Sequence, residues 1–320
     1  MTLTELARLA HVSTSTASKA FAFSPEVNEQ TRNLIFEVAK ANGCFKKFYS
    51  SEYPGLFFAI IFPEFESTYY SAFISALQKA LSHYNAEIAV ASTGFDRKTE
   101  ERLIDYYSRY NTADGIIIID GYTALKSSSD IPIITVNHLP AQKGHTNINV
   151  GSQKAIRTII EYWANAGVTE IGFIGDCYTE IRLNSLKQAL ELSNLPIRED
   201  LFITTNERFE HCGYAGARRL IANGKLPRAL FCAYDRIAIG AIRAFSEMGI
   251  NVPDDVAIFS VDDAPFTTYS TPSITSISPR IDEVCSAVVN SLMAKIKGEP
   301  LESEITIDYE LKLRESSVIK

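Results

Sequence analysis

From Leu56 onward the chain alternates short, continuous apolar runs with stretches of helical periodicity, and this alternation limits what it can fold into. The runs fall at 57–62, 88–91, 115–119, 131–135, 171–175, 230–233 and 256–260. Helical patterns lie between them, at about 70–83, 98–110, 152–166, 182–193, 213–223, 236–248 and 280–297. A strand that is apolar throughout is covered on both faces. With a helix after each, such strands build parallel sheets. There are enough units for two sheets, each in a lobe of about 120–140 residues. The predicted class is α/β, and 320 residues suit two or three domains.

No stretch reaches the roughly 18 uncharged apolar residues that a membrane span needs. The start, Met1-Thr-Leu-Thr-Glu-Leu-Ala-Arg, has no basic segment followed by an apolar run, so a secretion signal is not expected and the predicted location is the cytoplasm. Five cysteines (Cys44, Cys177, Cys212, Cys232, Cys285) stand far apart with no Cys-x-x-Cys pair, which predicts reduced thiols rather than a disulfide framework or zinc site. No Gly-x-Gly-x-x-Gly, phosphate loop or Gly-x-Ser-x-Gly is present, and no cofactor is expected.

The first 50 residues differ in charge from the rest. They carry six basic and four acidic side chains, whereas the net charge of the whole chain is −7. Thr2 and Glu5 have capping-box spacing at the start of a short helix, about Thr4–Ala10. A second helix runs from about Thr14 to Phe21, with Ala17 and Ala20 inward. A third, about Val27–Ala41, offers Val27, Leu34, Ile35 and Val38 as its apolar stripe. Three short helices with a tight turn between the first two make a DNA-reading unit. The outward residues of the second helix, Thr14, Ser15, Ser18 and Lys19, suit hydrogen bonds to base edges and phosphates. Periodicity alone leaves a solvated helical cap as an equal alternative.

Ligands of parallel α/β sheets sit beyond the carboxyl ends of the strands. The residues there include Tyr69 and Tyr70, Asp120, Asn137, His138, Arg182, Tyr234, Asp235, Asp262 and Asp263. Aromatic rings can cover sugar C–H faces while charged and amide groups bond hydroxyls, so the set suits a sugar. Taken singly, each has a plainer reading as a cap, a loop bond or a core aromatic.

The segment Leu3-Thr-Glu-Leu-Ala-Arg-Leu-Ala-His-Val-Ser-Thr-Ser-Thr-Ala-Ser-Lys-Ala-Phe resembles the headpiece of the lactose/galactose repressor family, as does Val27-Asn-Glu-Gln-Thr-Arg. The core resembles the same family in order and spacing: Ala113-Asp-Gly-Ile-Ile-Ile-Ile, Pro132-Ile-Ile-Thr-Val-Asn-His, Ile171-Gly-Phe-Ile-Gly, Arg182-Leu-Asn-Ser-Leu-Lys-Gln-Ala-Leu and Phe259-Ser-Val-Asp-Asp-Ala. The resemblance implies a headpiece over 1–46, a linker over 47–55 and a two-lobed periplasmic-binding-protein-like core over 56–320. Lobe 1 would hold about 56–149 and 279–305, and lobe 2 about 150–278 and 306–320.

It further implies a ligand-responsive repressor of carbohydrate genes, binding near-palindromic double-stranded operator DNA as a homodimer, with a sugar effector between the lobes. A nucleoside or purine effector, or a sugar-binding protein without DNA function, are the alternatives. DNA contacts are implied for Thr4, Thr14, Ser15, Thr16, Ser18, Lys19, Asn28 and Thr31, and ligand contacts for Tyr69, Tyr70, Asp120, Asn137, Arg182, Phe209, Tyr234 and Asp262. Arg182 and Asp262 fall on the family's most typical ligand positions; Phe209, or its neighbour Arg208, lies near an aromatic one. His11 stands where the family usually has glycine, in a turn expected to need positive φ. In the linker Tyr53 takes the place of the leucine that wedges into the minor groove, and Pro54-Gly55 follows at once. The expectation there is a flexible tether near 46–55 and weaker operator bending than the family norm, with Tyr53 the one residue that could act as a wedge. No heptad tail follows Leu311-Lys-Leu-Arg, so a coiled-coil tetramer is not expected.

Overall fold

Thr2 opens the first helix, α1 (Leu3–Leu9), by accepting the Glu5 N–H at 3.2 Å, while the Glu5 carboxylate accepts the Thr2 N–H at 2.6 Å. This is the capping box the sequence predicts. The computed structural model describes residues 1–49, 56–109, 113–125, 131–139 and 144–319. The turn after α1 passes through His11 at φ 53°, the left-handed value expected there. Ser13 caps α2 (Thr14–Phe21) and Asn28 caps α3 (Glu29–Ala41), each accepting a backbone N–H. The helices close on Leu6, Ala7, Ala17, Ala20 and Ile35, all buried. The alanines let α1 and α2 approach closely. Leu34 is not in this core; it is exposed. The buried stripe of α3 centres on Ile35 and Ala39, and one residue along a helix is a rotation of about 100°.

The linker departs from expectation at its start. Phe45–Phe48 forms a helical turn, α4. Phe45 stacks on Tyr49 at 4.9 Å, Phe48 lies 5.7 Å from Phe21, and Phe36 meets Phe45 edge-on at 5.1 Å. Packing these rings outweighs the weak helix propensity of the segment. Tyr53, Pro54 and Gly55 lie outside the described residues.

The chain divides into two compact units: 1–149 with 285–305, and 150–284 with 306–320. In the first, β1 (Leu56–Phe62), β2 (Ala86–Ser92), β3 (Gly115–Ile119), β4 (Ile133–Val136) and β5 (Thr146–Gly151) pair in parallel. With β11 (Glu304–Asp308) the order is β11-β5-β4-β3-β1-β2. Helices α5 (Thr68–Ser82) and α6 (Arg97–Arg109) connect the early strands. In the second unit, β6 (Ile171–Asp176), β7 (Phe202–Thr205), β8 (Ala229–Cys232), β9 (Ala257–Val261) and β10 (Thr275–Ser278) are parallel. The antiparallel β12 (Glu310–Lys312) completes the order β12-β10-β9-β8-β6-β7. Its helices are α7 (Gln153–Asn165), α8 (Glu180–Leu192), α9 (Phe209–Ala222), α10 (Asp235–Glu247) and α11 (Phe266–Tyr269); α12 (Ile281–Ile296) spans a boundary between the units.

The core of the second unit stacks Phe231 on Phe259 at 4.4 Å, with Trp163 edge-on to Phe259. Helices α9 and α10 cross backbone on backbone. A Cβ on Gly213 would lie 1.9 Å from the Ile237 carbonyl oxygen, and one on Gly240 would lie 2.0 Å from that of Glu210. Each sheet has one place where the strand order reverses: β1 beside β3, and β6 beside β8. Loops leaving such neighbours diverge to opposite faces and open a crevice beyond the strand ends.

Candidate functional site

In the second unit the reversal point brings together residues from four loops. Strand β6 ends in Asp176, which is buried. Arg208, just before α9, donates from Nε to Asp176 Oδ2 at 2.7 Å. Its guanidinium carbon lies 4.6 Å from the Tyr178 ring centre and 4.5 Å from that of Phe209. Arg182, in the first turn of α8, repeats the pattern. It donates to the Ala233 carbonyl oxygen beyond β8, and from Nη2 to Asp262 Oδ1 at 2.9 Å, and it lies 4.6 Å over the Tyr234 ring.

Burial works against the Arg182 charge, but Asp262 and then Tyr234 outweigh it and raise the guanidinium's pKa further. Burial also pushes the Tyr234 hydroxyl up; Arg182 and Arg208 pull it down, and Asp176 and Asp262 push it up. All four charges therefore converge on Tyr234. Two other acids of the strand-end set serve the fold. Asp235 accepts from Ser260 Oγ, Ser276 Oγ at 2.6 Å and the Ala264 N–H at 2.7 Å, tying α10 to β9 and β10. Burial first, and then the Asp262 charge, raises Asp235 above the usual carboxylate range. Asp263 accepts from Arg314 Nη2 at 2.6 Å.

Phe209 is buried beneath two guanidinium groups, Arg208 and, at 4.0 Å, Arg236. The ring that reaches the surface beside them is Tyr178, 46% exposed.

In the first unit Tyr70 donates to Asp120 Oδ2 at 2.7 Å, which joins the helix after β1 to the end of β3. Tyr69 is buried against Phe73 at 5.9 Å. His138, counted from sequence among the strand-end polar groups, is fully buried, with Nε2 3.8 Å from Glu100 Oε1. Burial opposes the Glu100 charge, but the facing His138 ring and the bonds from the Thr123 and Tyr122 N–H groups outweigh it and hold the carboxyl below its usual range. Asn137 is only partly buried at the end of β4. Asp120, Asn137, Phe209 and Asp262 all have left-handed φ, at 50°, 50°, 51° and 110°. Such conformations cost of order 1–3 kcal/mol each in residues other than glycine and gather at ligand sites.

On the headpiece, Thr14, Ser15 and Ser18 are exposed on α2, and Thr4 on α1. The Thr16 hydroxyl lies 2.8 Å from Ser13 Oγ. Lys19 pairs with Glu26. Asn28 accepts from the Thr31 N–H at 2.8 Å, so it caps α3. Among the described residues no cluster of His, Cys, Asp and Glu could hold a metal, and no helix is long and apolar enough to cross a membrane.

Residues 160–317 match a family described as a periplasmic binding protein-like domain. The probable HTH-type transcriptional repressor ExuR of Bacillus subtilis (strain 168) is 26% identical, covering 99% of this chain and 98% of that protein. The ribose operon repressor of Haemophilus influenzae is 24% identical over 98% of each. Both alignments run through the tri-helical headpiece and the core together. Over nearly its whole length the chain is similar to transcriptional repressors of the lactose/galactose repressor type. A solved transcriptional regulator CelR–cellobiose complex has the same fold, with a TM-score of 0.68 and 21% identity over 99% of this chain and 100% of that one.

The resemblance to the lactose/galactose repressor family pointed to Arg182 and Asp262, and the fold bonds these two to each other. It did not point to Asp176 or Tyr178. Asp176 carries a usable signal: it is the first charged residue after the apolar run of β6, at the reversal point of the sheet. The resemblance brought Arg208 in only as the neighbour of Phe209, and Tyr178 carries no signal, because their meeting depends on how two loops fold back.

Proposed function

We propose that this chain is a sugar-responsive transcriptional regulator that binds operator DNA through α2 as a homodimer and does no catalysis. The observation that carries the reading is the Arg182–Asp262 pair under Tyr234, at the reversal point of a sheet, in a chain that also bears a DNA-reading headpiece. The pair offers fixed hydrogen-bond donors beside an aromatic face, as a sugar requires. Asp120 and Asn137, held in left-handed backbone, are the corresponding groups of the first unit.

One headpiece reads too little. A good base contact discriminates by about 1–3 kcal/mol, against roughly a million or more competing sites in a genome. A symmetric pair doubles the contacts and reads a near-palindrome. The effector then acts through its different affinity for the DNA-competent and DNA-incompetent arrangements.

The test is a gel shift with DNA from upstream of the protein's own gene, with and without a panel of hexoses, pentoses and their acids. Retarded DNA whose fraction changes with one sugar class supports the reading. A chain that retards no such fragment, or whose retardation ignores every sugar while responding to a purine, overturns it.

A further inference from the structure

We propose that Glu100 and His138 are positioning residues of the effector site, a buried clasp that sets effector affinity by holding Asp120 and Asn137 in register at the end of the first sheet. The inference rests on the sugar-responsive reading above and names what fixes the ligand groups of the first unit.

Asp120 and Asn137 occupy matching places. Ile119 closes β3 opposite Val136, which closes β4, so Asp120 and Asn137 are the next pair along the two strands. Both have φ 50°. Residues other than glycine keep such a backbone only where their surroundings over-determine it. Here the surroundings converge on one carboxylate. Glu100, in the first turn of α6, accepts the Tyr122 N–H at 3.3 Å and the Thr123 N–H at 3.1 Å, so it holds the loop that begins at Asp120. His138, the residue after Asn137, places Nε2 3.8 Å from the same carboxylate. The Leu139 N–H donates to the Gly121 carbonyl oxygen at 3.0 Å and joins the two loops directly. On β5, Asn147 Oδ1 accepts the His138 N–H at 3.1 Å.

Gly121 is what lets the loop close on this pair. A Cβ there would lie 2.7 Å from Glu100 Oε1 and 2.8 Å from His138 Cδ2. The backbone that follows Asp120 therefore rests against both side chains. Glu100 keeps 1% of its surface and His138 none, which leaves neither a face for a ligand. Apolar residues of the same size would pack these loops at least as stably as a buried charge. What the carboxylate adds is direction, because it bonds particular N–H groups and so fixes the loop in one arrangement. A ligand-binding group has to be held to within about 0.5 Å, and supporting hydrogen bonds of this kind hold it there.

The experiment is titration calorimetry of the full chain with D-glucose, D-galactose, D-ribose, cellobiose, D-glucuronate and D-galacturonate. It is repeated on Glu100→Gln, on Gly121→Ala and on a control, Ile116→Val, a buried core change near the start of β3. All three lower the thermal midpoint. Glu100→Gln and Gly121→Ala each weaken the best-bound sugar about tenfold or more, the size of one charge-assisted hydrogen bond, and Ile116→Val weakens it less than about twofold. Retardation of operator DNA without sugar stays within about twofold of the parent in every variant, as it would not if the fold were lost. Gly121→Ala reaches the clasp from the loop side and carries the test where Glu100→Gln does not fold.

Parental sugar affinity in the folded clasp variants, a loss no larger than the control's at an equal fall in midpoint, or an absence of binding by all six sugars overturns the proposal. The first two outcomes, together with loss of binding in Arg182→Ala, leave the sugar-responsive reading standing. A gel-shift response to purines alone overturns both.

Discussion

Arg182 shows how one side chain can serve two purposes. Its bond to Asp262 keeps a buried carboxylate neutralised, and the same guanidinium lies over the Tyr234 ring with 19% of the side chain exposed. Arg182→Ala removes both contributions. Removing one partner of a buried pair costs about 3–5 kcal/mol, because the other charge is left without compensation. We expect Arg182→Ala to lower the unfolding free energy by that order in a urea titration, and R182A/D262A to recover part of it. Calorimetry on either variant should show the effector response lost, while gel shifts show operator binding retained. Unchanged effector affinity in both would remove the pair from the site. On the headpiece, exchanging Thr14 or Ser15 should change the preferred operator bases. Lys19 differs in that Glu26 holds it in the free protein. Lys19→Ala should weaken binding and lower its dependence on salt, and a slope identical to the parent's would exclude a phosphate contact.

At the scale of elements, the α9–α10 crossing is the least forgiving part of the molecule. The groups that a Cβ would strike are main-chain carbonyls, so no rotamer change relieves the clash. Gly240→Ala should cost about 1–3 kcal/mol or more and shift Glu210 and Arg236 at the helix starts, which thermal melts and effector titration would report together. A variant as stable as the parent would show that the helices can separate. The aromatic packing around α4 makes the opposite case. Phe48→Ala should release residues 45–49, and hydrogen exchange of those amides would rise to the rate of an open chain. These two features also mark what the sequence could reveal. The central strands and most long helices were legible, because apolar runs and helical periods are local. β5, β7, β10, β11 and β12 were not: Thr146-Asn-Ile-Asn and Glu304-Ile-Thr-Ile-Asp mix polar with apolar residues, and Thr275-Ser-Ile-Ser is buried through hydroxyl bonds. α4 was missed because its rings pack on partners 9–27 positions away, beyond any local propensity. Arg182 and Asp262 were legible through their strand-end places and the family resemblance; Asp176 was passed over although it ends a strand, and nothing local announced the Tyr178–Arg208 contact.

At the scale of the whole molecule, the headpiece's weak charge bias makes paired binding the central prediction. Moving two operator half-sites apart by about five base pairs turns them to opposite faces of the duplex and should abolish tight binding, whereas about ten should restore it. Equal affinity at every spacing would mean that single headpieces suffice. The two arginine–aspartate pairs have a further consequence. They hang from different strand ends, Asp176 closing β6 and Asp262 following β9. Substitutions in the first need not remove the bonds of the second, from Arg182 to Asp262 and to the Ala233 carbonyl oxygen. A duplicated gene could therefore acquire a new chemical signal by changing Tyr178, Arg208 and their neighbours, while its scaffold and its grip on the ancestral half of the molecule it senses are inherited intact.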